Sequence, residues 1–525
     1  MKPSTPCPPP MGSRFSGRLL VALAALCAGC AALPSLEGRV ATSAMTDTGD
    51  TRLGRAVAPA LSGRPGMSGF HALSIPDAFA ARVLLAGAAQ KSLDLQYYIW
   101  HGDQTGNLLF EAVWRAAERG VRVRILLDDA NTAGEDETIA ALDAHPNIEV
   151  RLYNPLMLRG VRLLNFVTDF TRVNRRMHNM SFTADNQVTI VGGAHNIGNE
   201  YFGAGDAVEF TDLDVLGIGP VVKEVASEFD LHWNSASAYP APSIVGAGRA
   251  DARARLGATF AAARADPTSA AYVEALRTTQ LLQQLVARQL PLEWANATVV
   301  RDDPAKALDT TARRDVLLLA ELLPVIGPPG SSFDLVSPYF VPGDEGTAAL
   351  ERLAARGVEV RVLTNSLAAT DVPAVHAGYA RRRCDLLRFG VKLYELKPAA
   401  RQQGERTPTL GSSSSVQLHA KTSALDRDRL FVGSFNFDQR SAFLNTEMGI
   451  VIDSPVLAQR LAGALDVQVP KGAAYEVAVA ADGHCPEWIE RTPAGEARFE
   501  IEPGTSAAQR GWIQFLEILP IEWLL

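Results

Sequence analysis

Leu418–Met448 reads LHAKTSALDRDRLFVGSFNFDQRSAFLNTEM, and the spacing of its polar residues decides the fold. If Leu418–Ala424 is a strand, side chains two apart share a face, so His419 and Lys421 point the same way. A turn at Asp426–Asp428 returns a second strand, Arg429–Ser434, beside the first. Asn436 then reaches the same mouth. An imidazole, an ammonium and an amide converging on one point suit a phosphodiester. Read singly, His419 is a polar residue at a hairpin edge; the spacing of the whole set points to a site.

A search for internal repeats finds much of the chain twice. Ser92-Leu93-Asp94-Leu95 matches Ser332-Phe333-Asp334-Leu335, and Gly102-Asp103 matches Gly343-Asp344 ahead of a helix. Arg119–Leu126 (RGVRVRIL) matches Arg356–Leu363 (RGVEVRVL), and Val150–Tyr153 matches Val391–Tyr394. The spacing predicts helices over Ile75–Ala89 and Asn107–Arg119, the latter stopped by Gly120, with strands at Ser92–Ile99, Val121–Leu127 and Val150–Tyr153. Repeated strand–helix–strand units predict an α/β fold, with mixed sheets flanked by helices in two tandem copies.

The first copy of the opening stretch is Met177–Asn196, MHNMSFTADNQVTIVGGAHN. His178 stands 241 residues before His419, as Val150 stands before Val391. Asp185 pairs with Asp426, and Gly192-Gly193 stands for Gly433-Ser434. Two features break the pattern. Met180 holds the lysine position, and a thioether cannot neutralise a phosphate oxygen. One extra residue precedes Asn196, which reads as a bulge. Either His195 is the insert, or it takes the Asn position and displaces Asn196. It either supplies a substitute donor or points into solvent.

The pattern HxK-x4-D-x6-GSxN resembles the signature of the phospholipase D superfamily, whose members join two copies into one active site. The resemblance implies a pseudo-dimer of two phospholipase D-like units. It implies His178 and His419 as catalytic histidines, with Lys421, Asn436, Asn196 and Ser434 on the substrate phosphate. Phe210-Thr211-Asp212 matches Asn445-Thr446-Glu447; by resemblance, Asp212 orients His178 and Glu447 orients His419. Asp185 and Asp426 read as structural, since each sits at a hairpin turn. Arg176–Asn179, Ser181–Asn186, Asn199–Phe202, Val375–Arg381, Asn445–Met448 and the Leu-Pro-Ile-Glu-Trp-Leu-Leu end are similar to the bacterial cardiolipin synthase C type of that superfamily. That type moves a phosphatidyl group between phospholipids. One histidine forms a phosphohistidine while the other protonates the leaving alcohol and deprotonates the acceptor. Lysines and asparagines stabilise the phosphoryl charge, so the resemblance implies no metal and no cofactor.

The 525 residues, 47% hydrophobic and 21% charged, suit more than one ordinary globular domain. A net charge of −8 disfavours nucleic acid as partner and weakens a nuclease reading. Lys2, Arg14 and Arg18 precede an apolar run, Leu19–Leu33, holding Cys27-Ala28-Gly29-Cys30. This resembles a bacterial lipoprotein signal with Cys30 lipidated; an uncleaved anchor and a plain soluble start are the alternatives. Ala31 after the cysteine resembles the outer-membrane default, so a periplasmic, lipid-anchored protein meeting phospholipids at a membrane surface is expected. The expected divisions are signal 1–30, flexible tether 31–70, first unit 71–235, helical connector 236–327, second unit 328–470 and C-terminal extension 471–525. In the connector, Asp251–Ala265 and Tyr272–Gln289 are expected helices. In the extension, Tyr475–Ala480 and Ala497–Ile501 are expected strands, and Ile518–Leu525 is expected to pack on the body. Cys384 and Cys485 are free to pair in an oxidising compartment, but spacing alone does not establish it. Three readings follow: a phosphatidyltransferase or phospholipase D enzyme, a phospholipid-binding homologue with little turnover, and a nuclease.

Overall fold

The computed structural model describes residues 32–193, 195–202, 213–308, 313–398, 418–468, 472–492 and 495–525. The first sheet holds β1 (Ser68–Leu73), β2 (Ser92–Tyr97), β3 (Arg122–Asp128), β4 (Ile148–Tyr153), β5 (Ser181–Ala184), β6 (Val188–Gly192), β7 (Asp214–Ile218), β8 (Ala238–Pro240) and β9 (Glu293–Ala295), in the order β8-β4-β3-β2-β5-β6-β7-β1-β9. The second holds β10 (Ala297–Arg301), β11 (Ser332–Val336), β12 (Glu359–Asn365), β13 (Lys392–Leu396), β14 (Thr422–Leu425), β15 (Arg429–Gly433), β16 (Met448–Ile452), β17 (Ala474–Ala478), β18 (Glu487–Thr492) and β19 (Gly495–Phe499), in the order β10-β16-β15-β14-β11-β12-β13-β17-β18-β19. Strands β4-β3-β2-β5-β6-β7 recur as β13-β12-β11-β14-β15-β16. In each unit the first three run parallel and the motif hairpin is antiparallel.

The alternation of side chains explains the layers. Leu93, Leu95 and Tyr97 of β2 face the helices Ile75–Ala88 and Gln104–Glu118, packing with Phe79, Leu85 and Leu109. Asp94 faces the other way and meets Arg124 at 2.7 Å, both buried. The repeat reproduces that pair: Asp334 meets Arg361 at 2.5 Å. Matching pairs in both units explain why the aspartate and arginine recur in the two sequence copies.

One core runs through both units. Val191, Val215, Val221 and Val225 of the first pack with Val432, Ile450, Leu457 and Leu461 of the second. The chain passes between the sheets through Asn296 alone, leaving β9 of the first and entering β10 of the second. The connecting segment is thus not only helical: it gives β8 and β9 to one sheet and β10 to the other. The long helix expected over Tyr272–Gln289 is broken into Ala270–Thr278 and Leu281–Val286.

The expected tether needs correction. Thr51 caps a helix, Arg52–Leu61, by accepting from the Gly54 amide at 3.0 Å, and its Leu53 and Val57 lie in the first core. Ahead of it, Arg39 donates to the carbonyls of Asn234, Ser235 and Ala238 at 2.6–2.7 Å. The Gly, Ser and Ala content hides one apolar face. Cys384 and Cys485 are joined by a disulfide, their Cα atoms 5.9 Å apart. At the C-terminus, Leu519 and Ile521 pack with Ile513 and Leu516 against Leu367 and Ala377, while Ile518 and Trp523 of the end expected to pack on the body stay exposed. Among the described residues no helix is long and apolar enough to cross a membrane.

Candidate active site

Each motif hairpin is built the same way. Asp185 and Asn186 have φ of 51° and 49°, and Asp426 and Arg427 have 54° and 55°. Two left-handed residues in succession match the right-handed strand twist of a tight hairpin, and Asp and Asn tolerate them. Each motif aspartate then ties its hairpin to the central strand. Asp185 accepts from the amides of Gln90, Lys91 and Ser92 at 2.7–3.1 Å, and Asp426 from Gly330, Ser331 and Ser332 at 2.7–3.0 Å. Burial alone would raise the Asp426 carboxyl, but these amides and the Ser331 hydroxyl hold it at about 2. Both aspartates point away from the mouth.

The chain ahead of each histidine is held by a residue at the end of the second parallel strand. Asp128 accepts from the Met177 amide at 2.8 Å, and Asn365 accepts from the Leu418 amide at 3.2 Å. The expected strand over Leu418–Ala424 starts only at Thr422; His419 stands on the extended approach to it. The two hairpins meet where the Lys421 amide donates to the Gly193 carbonyl at 3.1 Å.

The second unit lends its acid to the first. The His178 amide donates to the Thr446 carbonyl and the Thr446 amide to the Arg176 carbonyl, each at 2.8 Å. This pairing carries Glu447 onto the first unit's histidine, with Oε1 3.1 Å from His178 Nδ1. The expectation that Glu447 orients His419 is therefore corrected: just ahead of β16, Thr446 bridges Met177 of the other copy's motif and brings Glu447 with it. Glu447 is fully buried, accepts from the Ser434 hydroxyl, and donates its amide to Asp302 at 2.8 Å. Ser434, expected on the phosphate, is instead spent in positioning Glu447. Asp302 pairs with buried Lys306 at 2.9 Å, and its burial pushes its carboxyl up to about 6. Asp212 and Cys30 lie outside the described residues.

His419 is partly buried, and the Lys421 ammonium donates to its carbonyl at 3.0 Å. Burial, helped by the positive charge of Lys421 and by His195, pushes the His419 ring down to about 3. Tyr201 lies 5.4 Å from the His419 ring, and Tyr98 sits edge-on to His178 at 4.2 Å. Asn436 is buried. No partner among the described residues meets its side-chain oxygen. Asn196 keeps the corresponding place, because Ile197 bridges Trp100 just as Phe437 bridges Phe340. Its oxygen accepts from the Ile99 amide at 2.9 Å.

The extra residue thus lies upstream of Asn196, and His195 neither takes the Asn position nor points into solvent. It is fully buried, stacks on Phe202 at 5.2 Å, and sets Nδ1 3.1 Å from Asp214. Arg82 meets the same carboxylate at 2.7 Å. Burial works against an ionised Asp214, but His195 and Arg82 outweigh it and hold the carboxyl far below the usual range. Met180 is buried in the apolar core beside this group; its Cβ and the His195 carbonyl flank the same face of Gly192, 3.5 and 3.4 Å from where a Cβ would stand.

Several site residues escaped the sequence reading. Asp214 and Arg82 sit inside a strand and a helix, where nothing in the pattern sets them apart. Tyr98 carried no repeat signal either: where Ser92 matches Ser332 and Trp100 matches Phe340, Tyr98 falls on Pro338 and Tyr339 on Ile99. Tyr339 donates to Asp371 at 3.0–3.1 Å, and burial followed by the Asp371 charge raises its phenol well above the ordinary value.

Two repeated α/β units, each carrying a motif hairpin with its histidine and meeting where Lys421 bonds Gly193, are the architecture of tandem phospholipase D-like proteins. A family described as cardiolipin synthase, PLD-like domain, matches residues 84–233 and again 322–466, and the chain belongs to that family. It is 46% identical over 479 residues to cardiolipin synthase C of Escherichia coli K12, spanning 90% of this chain and all of that one. It is 26% identical over 371 residues to cardiolipin synthase B of the same strain, spanning 70% of this chain and 71% of the relative. The crystal structure of phosphatidylserine synthase from Haemophilus influenzae Rd KW20 superposes with a TM-score of 0.51 at 13% identity, covering 82% of this chain and 92% of the other, which shows the shared fold.

Proposed function

We propose that this protein transfers a phosphatidyl group from one phospholipid to a hydroxyl of another, as a cardiolipin synthase does. The observation that carries this reading is the His178–Glu447 contact across the units, which makes one site out of two motifs. In this reading His419 attacks phosphorus, since burial and its cationic neighbours keep its ring unprotonated. The phosphorus–oxygen bond to the leaving alcohol breaks, and His178, oriented through Nδ1 by Glu447, gives that oxygen a proton. The acceptor hydroxyl then returns a proton to His178, attacks phosphorus and frees His419. Water in the acceptor's place would give phospholipase D-type hydrolysis instead.

Lys421, Asn436 and Asn196 support the phosphoryl oxygens. Where the first copy lacks a lysine, His195 on Asp214 supplies its share of positive charge. A second reading, phospholipid binding with slow turnover, is favoured by Met180, whose apolar burial leaves no motif ammonium in that half. The net charge of −8 stands against a nuclease. The Cys384–Cys485 disulfide supports an oxidising compartment, hence a periplasmic protein anchored by lipid at Cys30, with the outer membrane favoured.

Purified protein offered phosphatidylglycerol vesicles tests this. Cardiolipin formed by the native chain and lost in His419→Ala supports the transferase. No product from the native chain, with a gain in Met180→Lys, supports the binding homologue. Equal turnover in all three chains sinks the mechanism, and plasmid cleavage in parallel reads the nuclease.

A further inference from the structure

Between β4 and the first motif the chain raises an apolar crest into solvent. Val161, Leu163, Leu164, Phe166, Val167 and Phe170 are all exposed, Leu163 and Val167 by 79% and 80%. They lie on and around the short helices Leu163–Thr168 and Phe170–Val173. Scattered apolar side chains on a surface need no explanation, but a contiguous crest marks an interaction site. The helix Ala507–Ile518 carries a second such face: it buries Ile513 and Leu516 and exposes Trp512, Phe515 and Ile518, with Trp523 exposed beyond it.

Arg440 joins these two elements beside the site. Its guanidinium donates to the Asn174 carbonyl at 2.6 Å, where the crest ends, and to the Leu524 carbonyl at 3.3 Å. Its amide donates to the Leu525 carbonyl at 2.8 Å. Arg440 lies in the helix Gln439–Phe443, four residues after Asn436, and the crest leads through Arg176 to His178. The N-terminal segment comes to the same side. Arg39 grips the carbonyl of Ala238, and Ala238 pairs with Tyr153 at the root of the crest. Only eight residues separate Arg39 from Cys30, a reach of about 30 Å at most. The arginines under the crest are used internally: Arg159 on Asp129 and Asp136, Arg172 on Asp169, Arg176 on Asp128. Attachment here is therefore apolar in character.

We propose that the 161–170 crest and the exposed face of Ala507–Ile518 form a docking surface that seats in the headgroup–acyl boundary of a phospholipid bilayer and turns the active-site mouth toward lipid. This rests on the phosphatidyltransferase reading for the choice of bilayer over a protein partner. Indole rings at such a boundary keep their apolar body in lipid and their N–H in water, which suits Trp512 and Trp523.

The test places a polarity-sensitive fluorophore on Val167→Cys, Ile518→Cys and, as a control, the exposed Val273→Cys of the full chain, with the unsubstituted chain as blank. The chain is reconstituted with vesicles of phosphatidylglycerol and phosphatidylethanolamine. The expected result is quenching of labels 167 and 518 by doxyl-lipid, unchanged at high salt, while label 273 answers only to aqueous iodide. Leu163→Ser/Val167→Ser should lower turnover on vesicles at least about tenfold and leave turnover on monomeric short-chain phosphatidylglycerol unchanged. Labels 167 and 518 that stay open to iodide overturn the proposal. So does shielding without vesicles that appears with a dimer, which assigns the surface to a second copy. A chain that shows the quenching but turns over neither lipid sinks the transferase reading and leaves the docking surface standing.

Discussion

The two motif halves share a backbone and differ in how they carry charge. The second keeps Lys421, its ammonium on the His419 carbonyl; the first has Met180 in its apolar core and a buried His195–Asp214–Arg82 group at the hairpin end. Elsewhere the copies agree down to the aspartate on three amides and the buried aspartate–arginine pair behind the central strands. A duplicated scaffold thus holds its packing constant while its ionisable groups diverge, because packing constrains every neighbour.

The sharpest way to break this asymmetry is at the histidines. His419→Ala and His178→Ala should each lower kcat by about ten-thousandfold, since groups acting as one unit fail together. Turnover of radiolabelled phosphatidylglycerol stopped with detergent at mildly alkaline pH, where a phosphorus–imidazole bond survives, should trap the phosphatidyl group on His419; label on His178 would reverse the assigned roles. Lys421→Met makes both halves lysine-free and should cost about a thousandfold in kcat/KM, with little loss of folding stability by urea titration. Glu447→Gln should lower kcat by about 10- to 100-fold, the usual scale for a group that orients a reactive ring. Rates of trapping and release, measured separately, should show the loss in the steps that move a proton through His178, although Glu447 belongs to the other copy. His195→Ala should cost about tenfold, and Met180→Lys in the same chain should restore part of it; a purely structural His195 would give no rescue.

The smallest effect is on stability. Asp426→Asn should weaken the fold by about 1 kcal/mol at pH 7, allowing for solvent screening. The folded Asp426 carboxyl is held at about 2, below its ordinary 3.8, so its contribution is present above pH 4 and lost as pH falls through 2. The gap between wild type and variant in urea should close over that window.

Much of the fold was legible because duplication leaves matching segments in the same order, 237 to 241 residues apart: strand after strand in one copy names its counterpart in the other. The hairpins were legible because Asp-Asn and Asp-Arg turns sit between alternating runs. The helix Arg52–Leu61 was not, because Leu53 and Val57 are diluted by small residues and only tertiary packing reveals their face. The motif histidines, Lys421 and Asn436 were found by spacing, and the structure brings the first of them together with Glu447. Which histidine Glu447 serves could not be read, since that depends on whose strand passes beside whose. The fate of His195 was equally hidden: one inserted residue leaves the ring's direction open until Asp214 and Arg82 are placed in space.

The single residue Asn296 between β9 and β10 has a thermodynamic meaning. Two separate subunits of this design would part on dilution and lose the site that Glu447 and His178 share. Here the partner concentration is set by a linkage shorter than a loop, so assembly is intramolecular and specific activity should hold at any dilution. The same linkage gives each half one fixed partner, so the half that has Met180 is always joined to the half that has Lys421.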